Sequence, residues 1–386
     1  MVASPLTIDF ILVLIGTFLT SLLVTPLVRF LSFRIGAVDN PNARRINKVP
    51  MPSAGGIAII LAFTMATLVY MPRALHGSLG GWDYIGYIFP VIVGSLIVAV
   101  TGLIDDVKEL APRLKMAGIV LAAIFIWFFT DFHFDSFKLP FGGPMLHFSP
   151  WVAFIVTILW IVGMTNAINL IDGLDGLVCG VSIISLVTMG LVSYFFLFGR
   201  DVMLTLTIFV LVAAIAGFFP YNYNPAIIYL GDTGALYIGF LMSVLSLQGL
   251  KNATAVAVVT PLIILGVPIV DTAVAIIRRK LSGQKISEAD SRHLHHRLLA
   301  MGFTHRGAVL VVYGISIFFS LVALLLNVSS RLGGVLLVIG LAVTVELLIE
   351  QLEILGPNRT PLLKVLKFIG NSSFRQEVVA KYKQKK

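Results

Sequence analysis

The chain has 386 residues, of which 58% are hydrophobic and only 12% charged. A water-soluble domain carries about 25% charged residues, so a soluble enzyme, a disordered chain and, with one cysteine present, a disulfide scaffold are excluded in favour of a multi-span membrane protein. Its 28 Lys and Arg against 19 Asp and Glu leave a net charge of +9, which basic loops beside an anionic leaflet account for without any nucleic acid partner.

A bilayer crossing takes about 20 apolar residues. Eleven stretches answer to that description, at about 8–28, 55–72, 85–104, 115–130, 150–168, 177–198, 203–219, 227–248, 254–277, 307–327 and 332–350. The first is too long for a signal peptide and no small-residue cleavage site follows it, so it is expected to be retained. Alternate loops and the C-terminal tail collect 23 of the 28 basic residues, and the remaining loops only Arg73, Lys138, Arg200, Lys251 and Arg331. The positive-inside rule then puts the N-terminus outside and the C-terminus in the cytoplasm. The expected fold is an all-α polytopic membrane protein of about eleven transmembrane helices. One domain covers 1–386, with a basic tail from about 351.

Ionisable groups near a bilayer are costly and by default mark function. Five polar clusters, all assigned to the cytoplasmic side, follow in chain order. The first is Asp39-Asn-Pro-Asn-Ala-Arg44-Arg45 through Lys48 and Ser53 to Gly55-Gly56, a Pro/Gly-fixed loop whose Lys48 and Ser53 can reach a phosphate. The second is Asp105-Asp106 near the end of the third span. Adjacent carboxylates repel unless a proton or cation lies between them, whereas a polar helix end would need one acid. The third, Asn166-Ala-Ile-Asn169-Leu-Ile-Asp172-Gly173-Leu-Asp175-Gly176, repeats a polar side chain every third residue. On helical geometry that spacing lines one face, and its glycines admit a ligand close to the backbone.

The fourth cluster runs from Tyr221-Asn222 to Tyr229-Leu-Gly231-Asp232-Thr-Gly234, where Tyr229 offers an aromatic face to a base and Asp232 an accessible oxygen. The fifth combines Asp271, Arg278-Arg279 and Asp290-Ser-Arg292-His293-Leu-His295-His296-Arg297. A closed zinc site would want four N/S ligands and no cysteine is near. Arg and His together suit phosphate oxygens better. Oxygen donors suit Mg2+, with Mn2+ as a substitute. The sequence has no Walker A motif and no G-x-G, which argues against a P-loop or a Rossmann site.

The Asn166–Gly176 run, Asp105-Asp106, Asn222–Gly234 and His293-Leu-His-His-Arg-Leu298 together resemble the polyprenyl-phosphate N-acetylhexosamine-1-phosphate transferases, over about Asp39 to Gly302. Pro268-Ile-Val-Asp271-Thr272, Arg278-Arg279 and the His-rich run resemble the branch that uses UDP-N-acetylglucosamine. The branch that uses UDP-MurNAc-pentapeptide shows a triple-His run followed by an acid, absent here. Asn47, Ser53-Ala54 and Ile119 depart from common family residues.

The resemblance implies transfer of GlcNAc-1-phosphate from UDP-GlcNAc to undecaprenyl phosphate, releasing UMP, at the cytoplasmic face of a bacterial plasma membrane. It places Mg2+ on Asp232 with Asn169. Catalytic carboxylates fall on Asp105, Asp106, Asp172 and Asp175. Phosphate contacts fall on Lys48 and Lys115, and a uracil pocket on Tyr229, Gly173 and Asp175. Sugar and pyrophosphate contacts fall on Arg292 and the His-rich loop. Ser53, Asn222 and Arg278 complete the expected substrate contacts, and a homodimer is admitted. A transporter is the rival of a different class, but transporters place polar sites near the bilayer midplane, and these acids gather at span ends.

Overall fold

A computed structural model describes residues 8–41, 49–75, 81–134, 136–138, 144–196, 202–248, 255–281, 283–284, 293–356 and 359–376. These residues are almost entirely helical and divide into two compact units, 8–269 with 305–328, and 270–304 with 329–376.

The first unit opens with α1 (Ile8–Ile35), a two-residue antiparallel ribbon of β1 (Val38–Asp39) and β2 (Met51–Pro52), and α2 (Gly56–Met65). A π-helical turn over Ala66–Tyr70 joins α2 to the short α3 (Met71–Ala74). Then come α4 (Gly81–Lys108), α5 (Pro112–Phe129), a β3–β4 hairpin (Ser136–Lys138, Met145–His147), α6 (Pro150–Leu170), α7 (Leu177–Phe196), α8 (Val202–Asn222), α9 (Gly231–Gln248) and α10 (Ala255–Ile264). α13 (His305–Val328) closes the unit against α7 and α10. Proline opens α5 and α6 at positions where its missing N–H costs nothing.

α9 is the axis of this unit. It packs against α4, α6 and α2, and every residue from Thr233 to Gln248 is buried. Nine helices among the described residues are long and apolar enough to cross a bilayer, and their bounds follow nine of the eleven expected stretches to within a few residues. The other two differ for physical reasons. Stretch 227–248 is helical only from Gly231, and α9, shielded by its neighbours, tolerates Ser243, Ser246 and Gln248. Stretch 254–277 is two helices, α10 and α11 (Gly266–Leu281), broken at Leu265. At the break the ring of Phe319 lies against Gly266, where a Cβ would overlap it.

The second unit holds most of α11, α12 (Leu294–Ala300), α14 (Arg331–Gln351) and α15 (Pro361–Gly370). The hydroxyl of Ser330 caps α14 by accepting the Gly333 N–H.

Candidate active site

The centre of the first unit's polar cluster is the meeting of α4 with the first turn of α9. A Cβ at Gly102 would lie 2.6 Å from the Asp232 carbonyl oxygen and 2.7 Å from the Thr233 Cα, so only glycine lets α4 approach there. Gly231 has φ +72°, and a Cβ on it would overlap the Ser53 carbonyl oxygen. Both facts demand glycine. The segment after β2 is clipped to the same place. Tyr229 N–H donates to Pro52 O at 2.8 Å, Gly55 N–H to Tyr229 O at 3.0 Å and Gly56 N–H to Leu230 O at 2.9 Å.

Asp106 locks this junction. Its Oδ1 accepts the Asp232 N–H at 2.8 Å, and its Oδ2 accepts the Thr233 N–H at 2.9 Å and the Thr233 hydroxyl at 2.5 Å. It is therefore an N-cap supplied from another helix, with its negative charge at the positive end of the α9 dipole. Asp105 turns elsewhere, as consecutive residues on a helix do. Its Oδ1 accepts the Leu110 N–H at 2.6 Å and its Oδ2 takes the Lys115 ammonium at 2.9 Å. Lys115 sits one turn into α5 and reaches Asp232 Oδ1 at 2.8 Å. Asn169 donates its amide to the same Asp232 oxygen. Asp105, Lys115, Asp232 and Asn169 thus form one continuous, partly exposed polar chain.

The four-member row expected on one face does not stay on one face, because α6 ends at Leu170. Asn166 bonds back to Val162 O at 2.8 Å. Asp172 lies in the turn, close to the charges of Asp232, Asp106 and Asp175. Its burial, reinforced by those charges, pushes its carboxyl up to about 8. Gly173 is exposed in the same turn, its N–H on Ile171 O at 2.8 Å. Asp175 holds the 222–226 loop, its Oδ2 accepting from Asn224 Nδ2 at 2.9 Å and Ala226 N–H at 3.1 Å. Tyr229 is partly exposed, and burial together with the Asp175 charge pushes its hydroxyl up.

Two expected contact residues are buried in the protein. Asn222, 5% exposed, accepts the Gly176 N–H at 3.1 Å and the Cys179 thiol at 3.4 Å, and donates to Ile228 O at 3.2 Å. Ser53 is buried, with its N–H on Ala37 O at 3.0 Å. Lys48 and Arg292 lie outside the described residues.

The start of α13 adds functional contacts that the sequence does not announce. His305 Nε2 accepts the Asp175 N–H at 2.9 Å. Arg306 donates to Asn224 O at 2.9 Å and stacks over the Tyr223 ring at 5.9 Å. The Tyr313 hydroxyl donates to Gly176 O at 2.5 Å. These partners are 82 to 137 residues away in sequence, and no local pattern announces them.

Taken by itself, the second unit buries Asp271 and His293 as a pair. Asp271 Oδ2 meets His293 Nδ1 at 2.9 Å, and Oδ1 accepts the Leu294 N–H at 2.9 Å, capping α12. The His295 ring lies parallel to that of His293 at 6.1 Å between centroids and tilted by 42° to that of His296 at 4.1 Å. Arg278 and Arg297, expected on phosphate, hold the turn after α14. Arg278 donates to Ile354 O at 2.9 Å, and Arg297 to Leu352 O at 2.7 Å and to Glu353 at 3.2 Å.

Comparison with known proteins agrees with the motifs. Residues 88–250 match the model of glycosyl transferase family 4. The chain is similar to a probable undecaprenyl-phosphate N-acetylglucosaminyl 1-phosphate transferase of Bacillus subtilis, 37% identical over 364 residues that cover 93% of this chain and 97% of the relative. It is 31% identical to a decaprenyl-phosphate N-acetylglucosaminephosphotransferase of Mycobacterium tuberculosis, covering 83% of this chain and 85% of that one. It is 26% identical to an undecaprenyl-phosphate alpha-N-acetylglucosaminyl 1-phosphate transferase of Salmonella typhi, over 78% and 79% of the two chains. With its glycine-fitted α4–α9 junction, its acid–lysine chain and relatives matched over nearly their whole length, this multi-pass membrane protein belongs to glycosyl transferase family 4, in the branch of the polyprenyl-phosphate N-acetylglucosamine-1-phosphate transferases.

Proposed function

We propose that the chain transfers GlcNAc-1-phosphate from UDP-GlcNAc to undecaprenyl phosphate, releasing UMP. The product, undecaprenyl-pyrophosphoryl-GlcNAc, would begin a cell-envelope polymer such as teichoic acid or O-antigen. The observation that carries the reading is the chain Asp105–Lys115–Asp232–Asn169 at the ends of four helices in a bilayer protein. Such a position serves a lipid-tethered acceptor and a water-borne donor together. The bias of basic residues favours the cytoplasmic side of a bacterial plasma membrane.

The donor set fits Mg2+. Asp105 and Asp232 share a single ammonium, that of Lys115, with Asp106 and Asp172 nearby, and the crowding is felt at Asp172. All the donors are oxygen or amide, as a hard cation prefers. Among the described residues no three His, Cys, Asp or Glu side chains stand at ligand spacing. Mg2+ is commonly held by one or two carboxylates and completed by substrate phosphates. Asp232 would hold it, with Asn169 turning its amide oxygen inward. When bound, Mg2+ supplies charge neutralisation on the pyrophosphate and the leaving UMP.

Within this reading each residue has a task. Lys115, held between two carboxylates, is placed to pass its ammonium to a phosphate oxygen. The acceptor phosphate, with a second pKa of about 6, is mostly dianionic at neutral pH. Asp105 therefore needs to remove only a residual proton before direct attack on the β-phosphorus. Asp106 orients Asp232 through the α9 backbone. Tyr229 and Gly173 border the place proposed for uracil.

The test uses purified protein in detergent with Mg2+, undecaprenyl phosphate and a panel of UDP-sugars, scored for UMP and for lipid-linked product. UMP released stoichiometrically with lipid-linked GlcNAc-1-phosphate, and abolished by Asp232→Ala, is expected. Turnover of Asp232→Ala near that of the wild type, or no product from UDP-GlcNAc, refutes the proposal.

A further inference from the structure

The second unit ends in a helix with none of its residues buried. In α15, Val365, Leu366, Phe368 and Ile369 are all exposed large apolar residues. At 100° per residue, Leu362, Val365, Leu366 and Ile369 share one face, and Lys364 and Lys367 occupy the opposite one.

The helix is also fixed in place. Glu350, 2% exposed in the last turn of α14, accepts the Leu362 N–H at 2.7 Å on one oxygen and the Leu363 N–H at 2.6 Å on the other. A buried carboxylate thus bolts the N-terminus of α15 to the end of α14. α14 is long and apolar enough to cross a bilayer, and only 11% of its most apolar window is buried in the protein. A helix bolted at its N-terminus to the end of such a span begins at the level of the membrane surface. Beyond it the sequence adds Arg375, Lys381, Lys383, Lys385 and Lys386, with Glu377 as the one acid after Glu353.

We propose that α15 lies in the plane of the bilayer surface, on anionic phospholipid. Leu362, Val365, Leu366 and Ile369 enter the acyl boundary, and Lys364 and Lys367 meet the headgroup phosphates. This is the arrangement of an interfacial amphipathic helix, in which apolar burial and attraction to anionic lipid add. It makes the C-terminus a surface anchor for α14 and is independent of the proposed reaction.

The single cysteine makes the test clean. Cys179 is wholly buried, so a nitroxide label goes to an introduced cysteine in the full chain. Leu366→Cys, Ile369→Cys, Lys364→Cys and Lys367→Cys are all at exposed positions, so labelling removes no packing. Each is reconstituted in vesicles of phosphatidylcholine with phosphatidylglycerol. Labels at 366 and 369 are expected to collide with oxygen and be shielded several-fold from a water-soluble nickel chelate, and labels at 364 and 367 to show the reverse. Equal exposure of all four to the chelate puts the helix in water and overturns the proposal. Shielding of all four from both probes puts it under another protein surface and overturns it equally. Omitting phosphatidylglycerol is expected to shrink the contrast, and an unchanged contrast refutes the anionic-lipid part.

Discussion

Asp106 offers the sharpest test of how the site is built, because its three donors give its removal a definite cost. In Asp106→Ala the N–H groups of Asp232 and Thr233 lose their acceptor, and the Thr233 hydroxyl is left to rotate. An orphaned, partly buried donor costs about 1–3 kcal/mol, and loss of an N-cap in general about 0.5–2 kcal/mol. Two backbone donors at the lower end, with some relief from water, come to about 2–4 kcal/mol. Asp106→Asn keeps one acceptor oxygen, so about half of that is expected. Thr233→Val removes one donor and orphans nothing, at about 1 kcal/mol. The assay is thermal unfolding in detergent followed by a thiol-reactive dye. Cys179, the only cysteine and fully buried, reports the opening of the first unit. Unfolding midpoints should fall in the order wild type, Thr233→Val, Asp106→Asn, Asp106→Ala, and transfer activity should fall with them. Asp106→Ala that unfolds at the wild-type midpoint yet is inactive would refute the capping role and make Asp106 a direct participant.

Two further outcomes follow from the geometry. Protonation of Asp172 stabilises the folded state, because its carboxyl is raised to about 8. That contribution is complete below the ordinary carboxylate range, about pH 4, and is lost as pH rises through about 8. Metal-free protein should therefore lose thermal stability between about pH 5 and pH 8, with a slope that Asp172→Asn flattens; an unaltered slope in that variant counts against the raised carboxyl. In the second unit, Asp271→Asn weakens both bonds of a buried carboxylate, at about 2 kcal/mol. Adding His293→Ala to it should then cost much less than His293→Ala alone, and strict additivity would show that the pair does not act as one.

The helices were legible because crossing a bilayer demands long apolar runs, and length alone sets most of their bounds. α9 and the α10–α11 break were less legible, since a helix surrounded by protein need not be greasy and a helix break needs a neighbour such as Phe319 to impose it. At the site, Asp105, Asp106 and Asp232 stood out by residue type. Their division of labour did not, although adjacent helical residues must point different ways. The Asn166–Asp175 row suggests one face because the three-residue spacing alone does not show that helical geometry stops at Leu170. Asn222, Arg278 and Arg297 look like ligand contacts in sequence because a polar side chain that ties a loop and one that holds a phosphate have the same composition. His305, Arg306 and Tyr313 were invisible, since their partners are brought to them only by tertiary packing.

The burial of α9 on every side bears on how the chain is made as well as on how it is held. An insertion machinery sorts segments by their individual partition into lipid, and α9 begins with Gly-Asp-Thr-Gly and ends in Gln248. By that measure it is a poor candidate on its own, although its 18 residues make it about 27 Å long. Its neighbour α8 is strongly apolar and lies immediately before it, across an eight-residue connection. Biogenesis of this protein therefore turns on partner helices receiving α9 as it emerges, so the residue proposed to grip the metal rides on a segment poorly able to enter the membrane alone.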